Sequence, residues 1–213
     1  MKKVFPIFFM VIFILIPARS SSQTQCPPEG DGGDPALNRL KNRSEFPASY
    51  EEMDVHRFQE DLKYIFTPLF RDDFSKDQTQ YIEKNEKRGI SLVGYILAAR
   101  LSLPDSTNCH SKTRREIHLY IGGSPSQSNM EPEGLIAQSV VVELTPGGQD
   151  LHPAWRLQNL VDLLKSHKKI RVSGWPLYDS LDKNFLGKSR GTLWEIEPVT
   201  KIEVWKEGQW RDF

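Results

Sequence analysis

The order of strand-like and helix-like segments is the feature that most limits how this chain can fold. From residue 89 onward, three segments rich in β-forming residues precede one amphipathic helical stretch, and two more β-rich segments follow it. The strand segments are 90–101, 115–123, 138–146, 170–179 and 191–205, and the helical stretch is 153–167. A short segment at 209–213 is expected to pair back as an edge strand.

Strand, strand, strand, helix, strand, strand is the order of an OB-fold, a five-stranded Greek-key barrel with its helix between the third and fourth strands. Gly94 lies inside the long first segment, and a glycine within a strand is typical of a bulge or a tight bend. We therefore predict a mainly β protein with a five-stranded OB-fold-like barrel (β-β-β-α-β-β) over residues 89–213. Another small antiparallel barrel or sandwich with one helix is the alternative.

The first 22 residues have the pattern of a signal peptide. Lys2 and Lys3 precede an apolar run over residues 4–16, and small residues at 18, 20 and 22 offer cleavage positions. The run is shorter than the roughly 20 residues that span a bilayer, although a retained N-terminal anchor is the alternative. We expect export to the periplasm or beyond the cell, and no membrane span in the mature chain.

Two regions separate this leader from the barrel. Residues 23–53 are rich in Pro, Gly, Asp and Asn without a sustained period, which predicts an N-terminal arm. Residues 54–88 are predicted to be a helix followed by a polar linker. Asp54 is a suitable N-cap, and Val55, Phe58, Leu62 and Ile65 share one helical face before Pro68. The linker is expected over the charged stretch 71–88.

The charge balance limits the class of partner. The formal net charge is zero for the whole chain and falls near −3 without the leader, which carries Lys2, Lys3 and Arg19. Binding to nucleic acid through phosphates needs a dense basic surface, so the composition argues against a nucleic-acid partner. A small ligand, an oligosaccharide or another protein remains as the expected partner.

The chain has two cysteines, Cys26 and Cys109. In an exported chain an even count favours a disulfide, which would pin the arm to the barrel. The alternative is a free thiol, in which case Cys109 beside His110 would be a candidate ligand or nucleophile.

Two stretches, CPPEGDGGDPALNRLKNR at 26–43 and RGTLWEIEPVTKIEV at 190–204, resemble a set of uncharacterised exported bacterial proteins with an OB-fold-like barrel. The resemblance covers the arm and the barrel and carries over no assigned activity. Members of that set often have a histidine where this chain has Glu197, so a ligand role at that position would vary among them.

The candidate ligand face follows from the predicted fold. OB-folds bind ligands on the face of their second and third strands, beside the loops that join strands one to two and four to five. In the second segment, Ile117, Leu119 and Ile121 alternate with Glu116, His118 and Tyr120, which places the two sets on opposite faces. The candidate ligand-binding residues are His118, Tyr120, Glu143 and Arg190. Tyr120 could stack on a base or a sugar, or could simply pack against its cross-strand neighbours.

A metal site is the second hypothesis for the same face. Its candidate ligands are His118, Glu143, Glu195 and Glu197, because imidazole and carboxylates on neighbouring strands can hold a divalent ion. Glu195 and Glu197 share one side of their strand, opposite Trp194 and Ile196. Both could equally face water, paired with Arg190 or Lys201, and we expect the water-facing arrangement. No cofactor is therefore predicted, with a divalent metal as the alternative.

The sequence favours a binding module over an enzyme. It has no G-x-S-x-G elbow, no phosphate-binding loop and no H-E-x-x-H motif. Exported calcium-dependent thermonucleases share the predicted fold, and Arg100, Glu143 and Arg190 could take parts in such chemistry, but the motifs of that family are not matched. We predict an exported, soluble binding or interaction module, with a metal-assisted, nuclease-like hydrolase on the same face as the alternative.

Overall fold

A computed structural model of the protein describes residues 26–125 and 132–213. The predicted signal peptide lies outside the described residues. Within these two ranges, no helix combines the length and the apolar character that crossing a membrane requires.

Seven strands form one sheet that closes on itself. The strands are β1 (Glu51–Asp54), β2 (Ile90–Leu101), β3 (Ile117–Gly122), β4 (Val140–Leu144), β5 (Ile170–Tyr178), β6 (Trp194–Lys206) and β7 (Gln209–Asp212). The α-helices are α1 (Pro35–Lys41), α2 (Val55–Asp61), α3 (Lys76–Glu86), α4 (Pro132–Ile136), α5 (Pro146–Leu151) and α6 (Leu157–Lys165).

Strands β2 to β6 make a closed barrel with OB-fold connectivity. The hydrogen-bonded order β2-β3-β4-β6-β5 returns to β2, and the β4–β6 pair is the parallel one. Helices α5 and α6 lie between the third and fourth barrel strands. The predicted OB-fold-like barrel is therefore confirmed. Strand β7 pairs with β6 as the expected edge, and β1 adds a parallel strand beside β2.

The inner face of the barrel is the hydrophobic core. Ile117, Leu119 and Ile121 of β3 are buried there with Trp194 and Ile196 of β6, as the alternation in the sequence predicted. Each fully buried side chain of this size stabilises the fold by about 1.5–3 kcal/mol relative to exposure. The other face of these strands therefore points out of the barrel, and the candidate site lies there.

Gly94 allows β2 to approach β3 closely. A Cβ at Gly94 would lie 2.6 Å from Ile121 Cγ2 and 2.7 Å from the Gly122 carbonyl oxygen. The register between β2 and β3 also shifts between Ile96 and Ala98, which marks the predicted irregularity in this strand.

The stretch 71–88, expected to be a polar linker, contains helix α3 instead. Ser75 caps the helix by accepting from the Gln78 backbone N–H, and the Gln78 side chain accepts from the Ser75 N–H in return. The helix buries Ile82, Asn85 and Glu86. Because two of these three buried residues are polar, the apolar periodicity that signals a helix is weak in the sequence.

Two further helix boundaries differ from the prediction. Helix α2 is capped by Asp54 as expected but ends at Asp61. The helix expected at 153–167 begins at Leu157, because Trp155 turns inward, almost fully buried, and stacks on His152 with 3.9 Å between ring centroids.

The N-terminal arm is pinned to the barrel. Cys26 and Cys109 form the predicted disulfide, which joins the arm to the loop between β2 and β3. Asp34 caps α1 through the backbone N–H groups of Ala36 and Leu37. The arm therefore holds a short helix against the outer face of the barrel, which its composition did not reveal.

Candidate functional site

The outer face of β3, β4 and β6 carries most of the candidate residues that the sequence singled out. His118 of β3 lies opposite Glu143 of β4 in the register. Val142 lies opposite Ile196, which brings Glu143 beside Glu195 and Glu197 of β6. Strand alternation and register together assemble these charged groups on one surface.

Glu195 and Glu197 do not face water. Both residues are fully buried, so the expectation that this face is solvated was wrong. The prediction that Glu195 and Glu197 share the face opposite Trp194 and Ile196 was right, since these two apolar residues lie in the core. The end of helix α1 covers the outer face, which strand periodicity alone cannot reveal.

Lys41, the last residue of α1, supplies a cation to this face. Its Nζ lies 2.8 Å from Asp179, 2.9 Å from Glu197, 3.4 Å from Glu195 and 3.5 Å from Glu143. We call Glu143, Asp179, Asp182, Glu195 and Glu197 the acidic cluster. Lys41 thus contacts four of its five members, and the sequence analysis did not include Lys41 as a candidate residue.

Arg190 is the second cation of the acidic cluster. Its Nη2 lies 2.8 Å from Asp182 and 3.0 Å from Glu195. The pairing of Arg190 with a glutamate of β6 was one of the sequence-based alternatives. Lys201, the other suggested partner, instead contacts Glu203 at 2.9 Å and Asp212 at 3.0 Å.

Burial and charge push the pKa values of the acidic cluster apart. Burial alone would raise the pKa of Glu143, but positive neighbours, His118 foremost, outweigh it and lower the pKa to about 2. Burial, followed by the charge of Glu143, raises the pKa of Glu195 to about 8. Burial also raises the pKa of Glu197 well above its ordinary value. The cluster therefore holds protons as well as charges at neutral pH.

Glu116 and His118 lie at the more open end of the same face. The His118 side chain is 23% exposed, whereas that of Glu116 is 2% exposed. His118 Nε2 lies 3.7 Å from Glu116 Oε2 and 3.4 Å from Glu143 Oε1. Burial opposes the charge on His118, but Glu143 and Glu116 outweigh it and raise the pKa of the imidazole to about 9.

Sequence reasoning missed Glu116 as part of this site. The alternation did place Glu116 and His118 on one face, and the Glu-x-His spacing at 116–118 was the available signal. What the sequence could not supply was the distance from this pair to Glu143 across the β3–β4 register.

Tyr120 and Arg100 lie beside the acidic cluster but contact each other and apolar neighbours instead. Tyr120 is buried against Leu97, Ile136 and Val141, which corresponds to the packing alternative. The Arg100 guanidinium lies 5.2 Å from the centre of the Tyr120 ring. A ligand therefore cannot stack on Tyr120 in this arrangement, because the ring is already covered.

A separate cleft lies between α1 and α3. It has a volume of about 610 Å³. Its lining combines the apolar side chains of Ala36, Leu40, Phe74 and Ile82 with the basic side chains of Arg39, Arg43, Arg71 and Lys87, and with Asp72, Thr79, Glu83 and Glu86. The sequence analysis did not anticipate this cleft, because α3 was expected to be a linker.

Comparison of the chain with protein-family models, with curated proteins and with solved structures found no match in any of the three.

Proposed function

We propose that this protein is an exported binding module and that its ligand is a small amphipathic anion, held in the cleft between α1 and α3. The leader-like N-terminus and the Cys26–Cys109 disulfide support an exported location, because disulfides persist in oxidising compartments. The part of the barrel face around Glu195 and Glu197 is already filled by Lys41 and Arg190. The cleft, in contrast, is open.

The cleft has the size and the lining of a small-molecule site. Its volume of about 610 Å³ lies within the range of roughly 300–1,000 Å³ that such sites occupy. Leu40, Phe74 and Ile82 would contact an apolar body, while arginines on the cleft wall would meet an anionic group. This combination supports an amphipathic anion over a sugar or a purely apolar compound.

Arg43 is the observation that carries the proposal. Arg71, its neighbour in the cleft, pairs with Glu86 through both guanidinium ends. The Arg43 guanidinium lies 4.5 Å from the centre of the Trp175 ring, and its Nη atoms donate to backbone carbonyls, that of Glu86 at 3.2 Å. Among the described residues Arg43 has no carboxylate within ion-pair distance, and its Nε is buried without a hydrogen-bond partner. Burial lowers the pKa of Arg43 to about 10, and an anionic ligand would restore the missing countercharge.

Fluorescence titration of the oxidised mature chain with the amphipathic anion 8-anilinonaphthalene-1-sulfonate tests this function. We expect saturable binding that dodecanoate displaces and dodecyltrimethylammonium, a cation of equal chain length, does not. Arg43→Gln should weaken binding by about tenfold or more, since a hydrogen bond to a charged group contributes about 1.5–3 kcal/mol. Lys84→Gln, on α3 but outside the cleft lining, is the matched control.

Two results would contradict the proposal. Equal displacement by the anionic and cationic surfactants would mean that the cleft has no charge preference. Unchanged binding in Arg43→Gln, with the Lys84→Gln control behaving as wild type, would place the probe elsewhere.

Metal-assisted hydrolysis is the second candidate, favoured by the grouping of Glu116, His118 and Glu143 within 4.8 Å of one another. A hydrolase of this kind requires a divalent ion to activate water or polarise its substrate. Cleavage of a labelled single-stranded oligonucleotide that requires added metal and stops with chelator would favour it. Absence of cleavage across Zn²⁺, Mn²⁺ and Ca²⁺ would remove the nuclease version.

A further inference from the structure

Three side chains at the open end of the barrel face are arranged like a set of metal ligands. They are Glu116, His118 and Glu143, which we call the β3–β4 triad, and each can place one ligand atom within 4.8 Å of the others. Glu116 and His118 share a face at i and i+2, and Glu143 is the cross-strand partner of His118. The register of the two strands therefore fixes the His118–Glu143 pair, and Glu116 directly precedes β3.

The two distances from His118 to its carboxylate neighbours are close to those between ligand atoms of a tetrahedral ion. His118 Nε2 lies 3.4 Å from Glu143 Oε1 and 3.7 Å from Glu116 Oε2, both longer than an ordinary N–H···O bond. Ligand atoms at about 2.0–2.2 Å from a tetrahedral zinc ion are about 3.3–3.6 Å apart. Small movements would let all three atoms reach one ion.

Buried polar atoms of the triad lack partners. Glu116 Oε1 and His118 Nε2 are both buried and form no hydrogen bond, although the Glu116 side chain is only 2% exposed. A buried carboxylate oxygen without a donor is costly, since it has lost its water and gained nothing in return. A cation bound between His118 Nε2 and Glu116 Oε2 would satisfy the imidazole nitrogen, and binding through both oxygens of Glu116 would satisfy Oε1 as well.

The surrounding charges leave the triad in need of a cation. Lys41 and Arg190 contact Glu143, but they also contact Asp179, Asp182, Glu195 and Glu197, so their charge is shared among several carboxyl groups. Lys41 approaches Glu143 through Oε2, whereas Oε1 lies 3.4 Å from His118 Nε2 and 3.8 Å from Arg190 Nη2. Zinc binding would displace the proton of the His118 imidazole, and Glu116 and Glu143 would then supply the two negative charges that a divalent ion neutralises.

We propose that the β3–β4 triad binds one Zn²⁺ ion, with two carboxylates and one imidazole as protein ligands and a fourth position left for water or a ligand atom. Imidazole with carboxylates favours zinc over the harder Mg²⁺ and Ca²⁺ ions, which prefer oxygen alone. The partly exposed His118 ring gives the ion a route from solvent. This inference is independent of the cleft between α1 and α3.

Isothermal titration of the chelator-treated, oxidised mature chain with ZnCl₂ tests the site. We expect one equivalent to bind to the wild type. His118→Gln and Glu116→Gln should each raise the dissociation constant by tenfold or more. His56→Gln is the matched control. His56 also lies near a carboxylate, 3.3 Å from Glu60, but both side chains are exposed on α2. The affinity of this variant should equal that of the wild type.

A spectrum of the wild type covers the case in which a variant does not fold. Co²⁺ in place of Zn²⁺ should give the intense visible bands of a four-coordinate site, and added Zn²⁺ should remove them. A weak, six-coordinate spectrum would overturn the proposal, as would absence of zinc binding or full affinity in folded His118→Gln. Because anilinonaphthalene sulfonate binding is measured separately, failure here leaves the proposed cleft untouched, and the reverse holds as well.

Discussion

Lys41 is a buried cation that compensates the carboxyl groups on the outer face of the barrel. Its ammonium group contacts four carboxyl groups and is itself almost fully buried. Burial lowers the pKa of Lys41, but Asp179 and the neighbouring glutamates outweigh it and raise the pKa well above its ordinary value. Lys41 is therefore charged at neutral pH, and its charge compensates the carboxylates of the acidic cluster.

Replacing Lys41 by methionine should destabilise the protein by about 3–5 kcal/mol, the usual cost of leaving buried charges without their partner. Urea unfolding of the oxidised chain measures this, with Lys84→Met on the exposed surface of α3 as control. We further expect the deficit to shrink at acidic pH, because protonated carboxyl groups no longer repel one another. A loss below about 1 kcal/mol would show that the ammonium group is dispensable.

Glu203 gives the protein a predictable sensitivity to acid. Its carboxylate accepts from Arg171 at 2.7 Å and from Lys201 at 2.9 Å. Arg171 foremost holds the pKa of Glu203 below its ordinary value of 4.5, although burial opposes this. A carboxyl group with a lowered pKa stabilises the fold above its unfolded pKa and loses that contribution as pH falls through its folded pKa.

Glu203→Gln should therefore lose less stability than the wild type when pH falls from neutral to below 4.5. The measurement is the free energy of unfolding in urea at each pH. Glu207→Gln, in the exposed turn before β7, serves as the control and should keep the wild-type pH dependence. Parallel curves for Glu203→Gln and the wild type would rule out this ion pair as an acid-labile contact.

At the scale of elements, the sequence predicted the barrel because its strand segments are rich in β-forming residues. The segment 90–101 coincides with β2, and the alternation at 117–121 assigned the two faces of β3 correctly. Periodicity reports which side chains share a face, but not what covers that face. The burial of Glu195 and Glu197 depends on α1, which is distant in sequence and too short to leave a pattern.

Gly94 tests the close packing of β2 on β3. Gly94→Ala should destabilise by about 1–3 kcal/mol, because the new Cβ would lie 2.7 Å from a backbone oxygen that cannot move freely. Gly123→Ala is the matched control, since a Cβ there meets no heavy atom within 4 Å. Thermal unfolding of both variants makes the comparison. Equal melting temperatures would mean that the two strands can separate without cost.

At the scale of the whole molecule, two distant stretches meet at one site. Residues 26–43 provide Lys41, and residues 190–204 provide Arg190, Glu195 and Glu197. The arm is thus part of the barrel face, held there by the Cys26–Cys109 disulfide and by the ion pairs of Lys41.

Removing the disulfide should cost about 4–5 kcal/mol, because it closes a loop with a sequence separation of 83 residues. The Cys26→Ser, Cys109→Ser double variant should unfold at lower urea concentration than the oxidised wild type. In this double variant Lys41→Met should lower the free energy of unfolding by less than it does in the wild type. The reason is that an arm without its disulfide already holds the ammonium group away from the carboxylates. Fully additive effects of the two changes would show that the disulfide and Lys41 do not act together.

Because Lys41 precedes the barrel and most of the acidic cluster follows β4, the cation and its carboxylates are joined only when nearly the whole chain is present. Before Lys41 docks, Glu195 and Glu197 of β6 would have to come together with Glu143 of β4 without this cation. We therefore expect α1, the first element of the described chain, to dock late in folding. Its docking would complete the pairing of β4 with β6. Contacts of such long sequence separation form slowly. We therefore expect the protein to fold slowly, with the contacts between its N-terminal arm and β6 among the last to form.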